Sequence, residues 1–156
     1  MIQADVGHIY KCGKTYTHNI GLSCAFRQWQ TESHCHFLHG YALQVELEFE
    51  AKQLNDENWV QGFGDLKPVK AWLEDMFDHK TLVAEDDPKL KLFTLMFVEG
   101  MIDMKVVPTT GCEAFARIVY EGVKQLGFNN LQWVTIREHA GNWASYGKDL
   151  LQSGTA

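Results

Sequence analysis

The sequence lacks several features by which whole classes of protein are identified. It contains no run of basic residues and its formal net charge is −6, so it offers no surface that could neutralise a nucleic-acid backbone. No apolar stretch approaches the roughly 20 residues of a membrane-spanning helix. The N-terminus shows no charged segment followed by an apolar one, which is the pattern of a signal peptide. We therefore expect a cytoplasmic protein whose partners include neither nucleic acid nor a membrane.

Cysteine and proline are also scarce, with four and three residues respectively. The cysteines form no Cys-x-x-Cys pair and are too few for a disulfide scaffold. They are interpreted as reduced thiols, of which Cys24 and Cys112 are expected to be small core residues. The remaining composition, 46% hydrophobic and 22% charged in a chain of 156 residues, is typical of one globular domain, here residues 1–156.

The densest group of chemically active side chains lies between Ser33 and Tyr41, where three of the seven histidines and one cysteine are found. Apolar and polar residues then alternate over residues 40–51, which is typical of a half-buried strand. Residues 39 and 41 point to the same face of such a strand. The sequence thus predicts a loop carrying Cys35 and several histidines that leads directly into a rigid strand.

Hydrophobic periodicity predicts the other elements. We expect further strands at 17–26, 131–138 and 143–147, helices at 66–77, 88–100 and 110–126, a weak strand at 101–107 and a polar connection at 80–86. Asp65 is a candidate N-cap of the first helix, and Thr110 with Glu113 has the spacing of a capping box at the third. Helices in the middle and hairpins at both ends indicate an α+β fold with an antiparallel sheet covered on one face.

Five short elements, in this order, resemble the pyruvoyl-tetrahydropterin and carboxytetrahydropterin synthase family. They are Cys35 to Gly40 before the strand, Gly64-Asp65-Leu66-Lys67 ahead of a helix, Asp78-His79 at its end, Pro108-Thr109 leading to Glu113, and Arg137-Glu138 on a late strand. No single element is specific, but their shared order and spacing cover about residues 17–147. The segment 88–107 has the character of an insertion relative to compact family members.

The resemblance implies a tunnelling fold, or T-fold. In this fold a four-stranded antiparallel sheet carries helices on one face, in the order strand–strand–helix–helix–strand–strand, with the insertion adding a short helix. Family members form homotrimers or homohexamers, with active sites at subunit interfaces. The implied activity is that of a lyase that abstracts a proton from the side chain of dihydroneopterin triphosphate or a related pterin. The alternative is a non-catalytic pterin- or purine-binding T-fold assembly protein that has lost its metal site.

The resemblance also assigns roles to individual residues. Cys35 matches the family's thiolate base, and a nearby cation or hydrogen bonds would have to stabilise its charged form. Asp78 and His79 match an Asp–His pair in which the carboxylate orients the imidazole as a proton donor or relay. Glu138 matches the anchor of the pterin ring, because one carboxylate can accept two hydrogen bonds from a guanidine-like edge.

The zinc ion that the family uses is doubtful in this chain. His39 matches one of three ligand histidines, whereas Tyr41 and Phe26 occupy the other two positions. A catalytic zinc normally has three protein ligands and one open position. Two explanations are open: His34 or His36 completes a relocated site with His39, or the metal has been lost.

Overall fold

The computed structural model describes residues 7–149 and 151, so both ends of the predicted domain 1–156 lie partly outside the described residues. It shows an α+β protein. The strands are β1 (Tyr10–Tyr16), β2 (Leu22–Phe26), β3 (His39–Ala51), β4 (Lys80–Ala84), β5 (Asp103–Val107), β6 (Leu131–His139) and β7 (Asn142–Gly147). The α-helices are α1 (Lys67–Phe77), α2 (Leu90–Val98) and α3 (Cys112–Gln125).

Strand β3 is the longest strand and lies at the centre of the sheet. Strands β1 and β2 pair antiparallel with its second and first halves, and β6 and then β7 continue the antiparallel arrangement on the other side. Strands β4 and β5 extend the sheet beyond β2 in parallel. The described sheet is therefore mixed and seven-stranded. The strands predicted at 40–51, 131–138 and 143–147 are present, and the one predicted at 17–26 forms only over Leu22–Phe26, after a 3-10 turn at His18–Ile20. These four strands pair antiparallel, but a purely antiparallel, four-stranded sheet is not what forms.

Strand β4 corrects the prediction of a polar connection at residues 80–86. Thr81 to Ala84 are all buried, but the charged residues that flank them dominate the local sequence pattern. So short an apolar run has no period that identifies it as a strand. Strands β4 and β5, with α2 between them, form a parallel β–α–β unit, in which β5 matches the weak strand predicted at 101–107.

Both predicted capping arrangements are wrong. Asp65 lies inside a 3-10 turn that precedes α1, and its side chain does not cap the helix. Helix α3 follows Gly111, whose φ of 117° strongly favours glycine, and no side chain caps this helix either. The Thr110 hydroxyl instead donates a hydrogen bond to the Arg27 carbonyl over 2.6 Å. The start of α3 is thereby joined to the loop that leads to Cys35.

The main core lies between the sheet and helices α1 and α3. Phe115 of α3 contacts Phe26 of β2 and Phe77 of α1 edge to face, with ring centroids 4.9 and 5.6 Å apart, and all three rings are fully buried. The odd-numbered residues 43–49 of β3 are also buried on this side. No helix among the described residues is long and apolar enough to cross a membrane.

Candidate active site

Cys35 is the middle residue of a single 3-10 turn just before β3, and its side chain is half-buried. The loop after β2 holds this turn through the backbone: Gln28 N–H donates to the Cys35 carbonyl over 2.9 Å. Arg27 Nη1 donates to the carbonyl of His36 over 3.3 Å. The thiol is thus carried by a turn that is fixed on the residues adjoining Phe26.

The Arg27 guanidinium also forms a two-point ion pair with Asp87, just before α2. Nε and Nη2 lie 2.8 and 2.6 Å from the two carboxylate oxygens, and the Asp87 side chain is only 1% exposed. These hydrogen bonds hold the pKa of Asp87 below its usual range. One side chain therefore connects the Cys35 turn to the β4–α2 connection, a link that nothing in the local sequence pattern indicates.

We expect Asp87→Asn to lower the free energy of unfolding by about 2 kcal/mol at neutral pH, because it removes charge-assisted hydrogen bonds from a buried site. The depressed pKa makes this contribution complete above the ordinary carboxyl value of 3.8. It is lost as the pH falls through the lower folded value. Urea unfolding of both proteins should show a smaller difference in unfolding free energy at acidic pH than at neutral pH. Asp86→Asn, at the exposed neighbouring residue, is the matched control. A difference between wild type and Asp87→Asn that does not change with pH would contradict the role given to the Arg27–Asp87 ion pair.

Phe26, His39 and Tyr41 form one wall of aromatic rings. Phe26 and His39 are directly opposite each other on β2 and β3, with ring centroids 4.9 Å apart. The Tyr41 ring lies 5.6 Å from His39 and 6.2 Å from Phe26. The three positions that the resemblance assigns to metal ligands therefore do converge in space.

This wall does not fit a catalytic zinc ion. Phe26 has no donor atom and is fully buried, and burial raises the pKa of Tyr41, which keeps the phenol protonated. His39 Nδ1 lies 2.7 Å from the Phe37 carbonyl, which leaves one imidazole nitrogen free. Within the part of the chain that the structure describes, no group of three or more His, Cys, Asp and Glu side chains could hold a metal ion.

The histidines beside Cys35 do not rebuild a three-ligand site in the described chain. The His36 ring lies against Phe37, with centroids 3.9 Å apart, and its Nδ1 is 2.6 Å from the Ser33 carbonyl. His34 is exposed. The relocated zinc site that His34 and His39 were predicted to share therefore lacks a third ligand within one chain.

Glu138 of β6 lies close to this wall. Burial is the main cause of the raised pKa values of Cys24, Tyr41 and Cys112, and the negative charge of Glu138 raises all three pKa values further. The pKa values of the Cys24 and Cys112 thiols are raised to about 12.

The Tyr41 ring also lies 6.3 Å from the ring of His139, which follows Glu138 on β6. The turn of Cys35 leads directly into β3, which carries Tyr41, and Tyr41 lies beside the end of β6, which carries Glu138. The chain thus brings Cys35, Tyr41 and Glu138 into one region, and Cys112, which the sequence analysis had treated as core, is a neutral neighbour of Glu138.

Asp78 and His79 form the predicted pair, at the end of α1. His79 Nδ1 lies 2.6 Å from Asp78 Oδ1, and the His79 side chain is 86% exposed. His79 has a positive φ of 56°, and its N–H donates to the Ser23 carbonyl of β2 over 2.6 Å. Within the described residues, no hydrogen bond or ion pair joins this pair to Cys35 or Glu138.

Two cavities lie away from this cluster. One, of about 640 Å³, is lined largely by residues 54–65 and the start of β1. The other, of about 220 Å³, lies between Gln28–Thr31 and Thr109–Thr110. Neither cavity is lined by Cys35, Tyr41 or Glu138.

Solved structures show which class of protein this architecture defines. An uncharacterized protein from Wolinella succinogenes superposes with a TM-score of 0.73 at 18% identity, covering 92% of this chain and all of the other. The 6-pyruvoyl tetrahydropterin synthase of Caenorhabditis elegans superposes with a TM-score of 0.61 at 17% identity, covering 91% of this chain and 96% of the other. The fold is thus that of the T-fold pterin synthases.

Sequence comparison then shows the family. The model of the family described as "6-pyruvoyl tetrahydropterin synthase" matches residues 15–149, and the chain belongs to this family. A candidate 6-carboxy-5,6,7,8-tetrahydropterin synthase of Methanocaldococcus jannaschii is 27% identical over 135 residues, which are 74% of this chain and 83% of that protein. The 6-carboxy-5,6,7,8-tetrahydropterin synthase of Rickettsia bellii is 27% identical over 75 residues, which are 47% of this chain and 54% of that protein.

Proposed function

We propose that the protein is a pterin-processing lyase that acts on the side chain of dihydroneopterin triphosphate, or a related pterin, without a catalytic zinc ion. The observation that carries this proposal is the convergence of Cys35, Tyr41 and Glu138 beside a wall whose metal-ligand positions hold Phe26 and Tyr41. Membership of the family supplies the substrate class. The aromatic wall supplies the reason to separate this chain from zinc-dependent members.

In this proposal each group has one task. Glu138 accepts two hydrogen bonds from the guanidine-like edge of the pterin, as it would from an arginine. The Cys35 thiolate takes a proton from a side-chain carbon, and the released electron pair forms a double bond as the bond to triphosphate breaks. The protonated Tyr41 phenol donates a hydrogen bond to a side-chain oxygen, where zinc would otherwise polarise it.

The Asp78–His79 pair is proposed to serve the Cys35 cluster of a neighbouring copy in a homotrimer or homohexamer. Its imidazole is 86% exposed and its ion-pair partner is Asp78, and no hydrogen bond joins it to Cys35 within the described residues. In that case the Cys35→Ala and His79→Ala variants should each be inactive. When subunits of the two variants are mixed by reversible unfolding, activity should return at interfaces where the intact Cys35 of one subunit meets the intact His79 of another. A mixture that stays as inactive as its parents would show that both groups act within one chain.

Purified protein incubated with dihydroneopterin triphosphate in chelator-treated buffer tests the function directly. We expect the substrate to disappear and a new pterin to form, as measured by liquid chromatography with fluorescence detection. Glu138→Gln should abolish both pterin binding and turnover, because the neutral amide replaces one acceptor with a donor. Gln132→Glu, at another half-buried position on β6, changes charge without touching the anchor and serves as the control.

The non-catalytic pterin- or purine-binding assembly protein is the second candidate. The absence of three or more His, Cys, Asp or Glu side chains that could hold a metal ion, among the described residues, favours it. It would be established if wild-type protein binds a pterin and loses it on Glu138→Gln, yet forms no product with or without added zinc.

A further inference from the structure

The exposed face of α2 is the most apolar surface among the described helices. Leu92, Leu95 and Val98 are 55%, 55% and 71% exposed, and only Phe93 of this helix is buried. Nearby, Met101 is 70% exposed. Spacings of three residues place Leu92, Leu95 and Val98 on one stripe, roughly 120° wide at 100° per residue. Contiguous exposed apolar patches on soluble proteins often mark interaction sites.

The charges on this helix are arranged symmetrically about the stripe. Lys91 and Glu99 are each four residues from Leu95, so both lie on the same side of the helix as Leu95. Both are exposed, and neither forms an ion pair with the described residues. Leu92 and Val98 are likewise three residues to either side of Leu95. The order of apolar and charged residues is therefore the same in both directions from Leu95, except that the charged residue is a lysine on one side and a glutamate on the other.

We propose that α2 is an interface between two copies of this chain, formed by antiparallel contact of the two helices about a twofold axis through Leu95. In an isologous contact, residue i meets residue j and j meets i. Leu95 then meets its own counterpart, Leu92 meets Val98, and Lys91 meets Glu99 on both sides of the axis. A parallel contact would instead place like charges together, so the charge pattern selects both the partner and its direction.

A nine-residue helix is only about 14 Å long, and one such contact buries less than the roughly 800 Å² per partner of a stable interface. We therefore expect concentration-dependent pairing through α2, either of single chains or of oligomers that other surfaces form. In either case, loss of the α2 contact halves the mass of the paired species. The α2 interface contains none of the residues assigned to catalysis, so its formation does not depend on the proposed function.

Charge reversal tests both the partner and the direction. Lys91→Glu and Glu99→Lys should each place like charges opposite one another and weaken pairing about tenfold, while the double variant should recover wild-type pairing. Sedimentation equilibrium over a range of concentrations measures this. Lys89→Glu, the same change just outside the stripe, is the matched control. Identical masses for all these proteins, or single-variant losses that the double variant does not recover, would overturn the proposal.

Cross-linking gives an independent readout. Leu95→Cys lies on the proposed twofold axis, so oxidised glutathione should convert it to a disulfide-linked dimer on a non-reducing gel. Lys89→Cys should cross-link no more than wild-type protein, whose own cysteines set the background. Equal cross-linking of the two variants would place the contact elsewhere. Unchanged circular dichroism of each variant would show that the fold itself is intact.

Discussion

Under the proposed zinc-free function, replacing Phe26 and Tyr41 together by histidine should create a site that binds about one zinc per chain. The rings at these positions already lie beside His39, so the double variant presents three imidazoles from two paired strands. Three histidines with an open fourth position form a known catalytic zinc set. If each added ligand contributes only about 2 kcal/mol, zinc affinity rises roughly a thousandfold.

Elemental analysis of the protein as isolated, and titration of the metal-free protein, measure this effect. Adding His39→Ala to the double variant should remove the zinc again. Phe26→Leu with Tyr41→Phe is the control that changes the same two positions without adding a donor. The buried Phe26→His change lowers stability by itself, so each metal-free variant must first be shown to be folded by circular dichroism.

Wild-type protein that already carried about one zinc per chain would contradict the metal-free proposal. Loss of that zinc in His34→Ala or His39→Ala would then point to a relocated site, completed by a third ligand from a neighbouring copy. This result would leave the family assignment and the role of Glu138 untouched, because neither depends on the metal.

Cys35→Ala should lower turnover by about a thousandfold while leaving pterin binding within a few-fold of wild type. A positioned general base typically contributes on the order of 10²–10⁴ in rate, and the anchor Glu138 is unchanged. Steady-state turnover and fluorescence titration with a non-reactive pterin separate the two effects. Cys12→Ala removes another half-buried thiol, on β1, and should change neither quantity. Loss of binding in parallel with turnover would show that Cys35 holds the ligand rather than acting as the base.

The role proposed for Tyr41 can be separated from that of Cys35. Tyr41→Phe keeps the ring contacts with His39 and Phe26 but removes the hydrogen-bond donor. We expect it to lower turnover by about two orders of magnitude, at the lower end of the 10²–10³ that the loss of one donor to a developing negative charge typically costs. A Tyr41→Phe variant as active as wild type would leave the polarisation of the substrate to other groups.

The sequence by itself was sufficient for the family and for the local elements that carry its motifs. Periodicity located β3, β6, β7, α1 and α3, because each buries one face against a common core and its apolar spacing records that face. Helix α2 was also predicted, but it buries only Phe93 and leaves most of its apolar side chains exposed. The order of Cys35, Asp78-His79 and Glu138 along the chain was sufficient to indicate the pterin synthase family, and the family comparison confirms this membership. The sequence also showed that positions 26 and 41 hold phenylalanine and tyrosine instead of histidine.

Only the tertiary structure decided which of these residues meet. It paired Phe26 with His39 across two strands, placed Cys112 beside Glu138, and left the Asp78–His79 pair apart from both. It also showed that Arg27 joins Asp87, sixty positions later in the chain. Strand register and loop contacts between distant segments bring such groups together, and neither leaves a periodic trace in the local sequence. For the same reason, the short strand β4 and the failed capping box were decided by their surroundings rather than by their own residues.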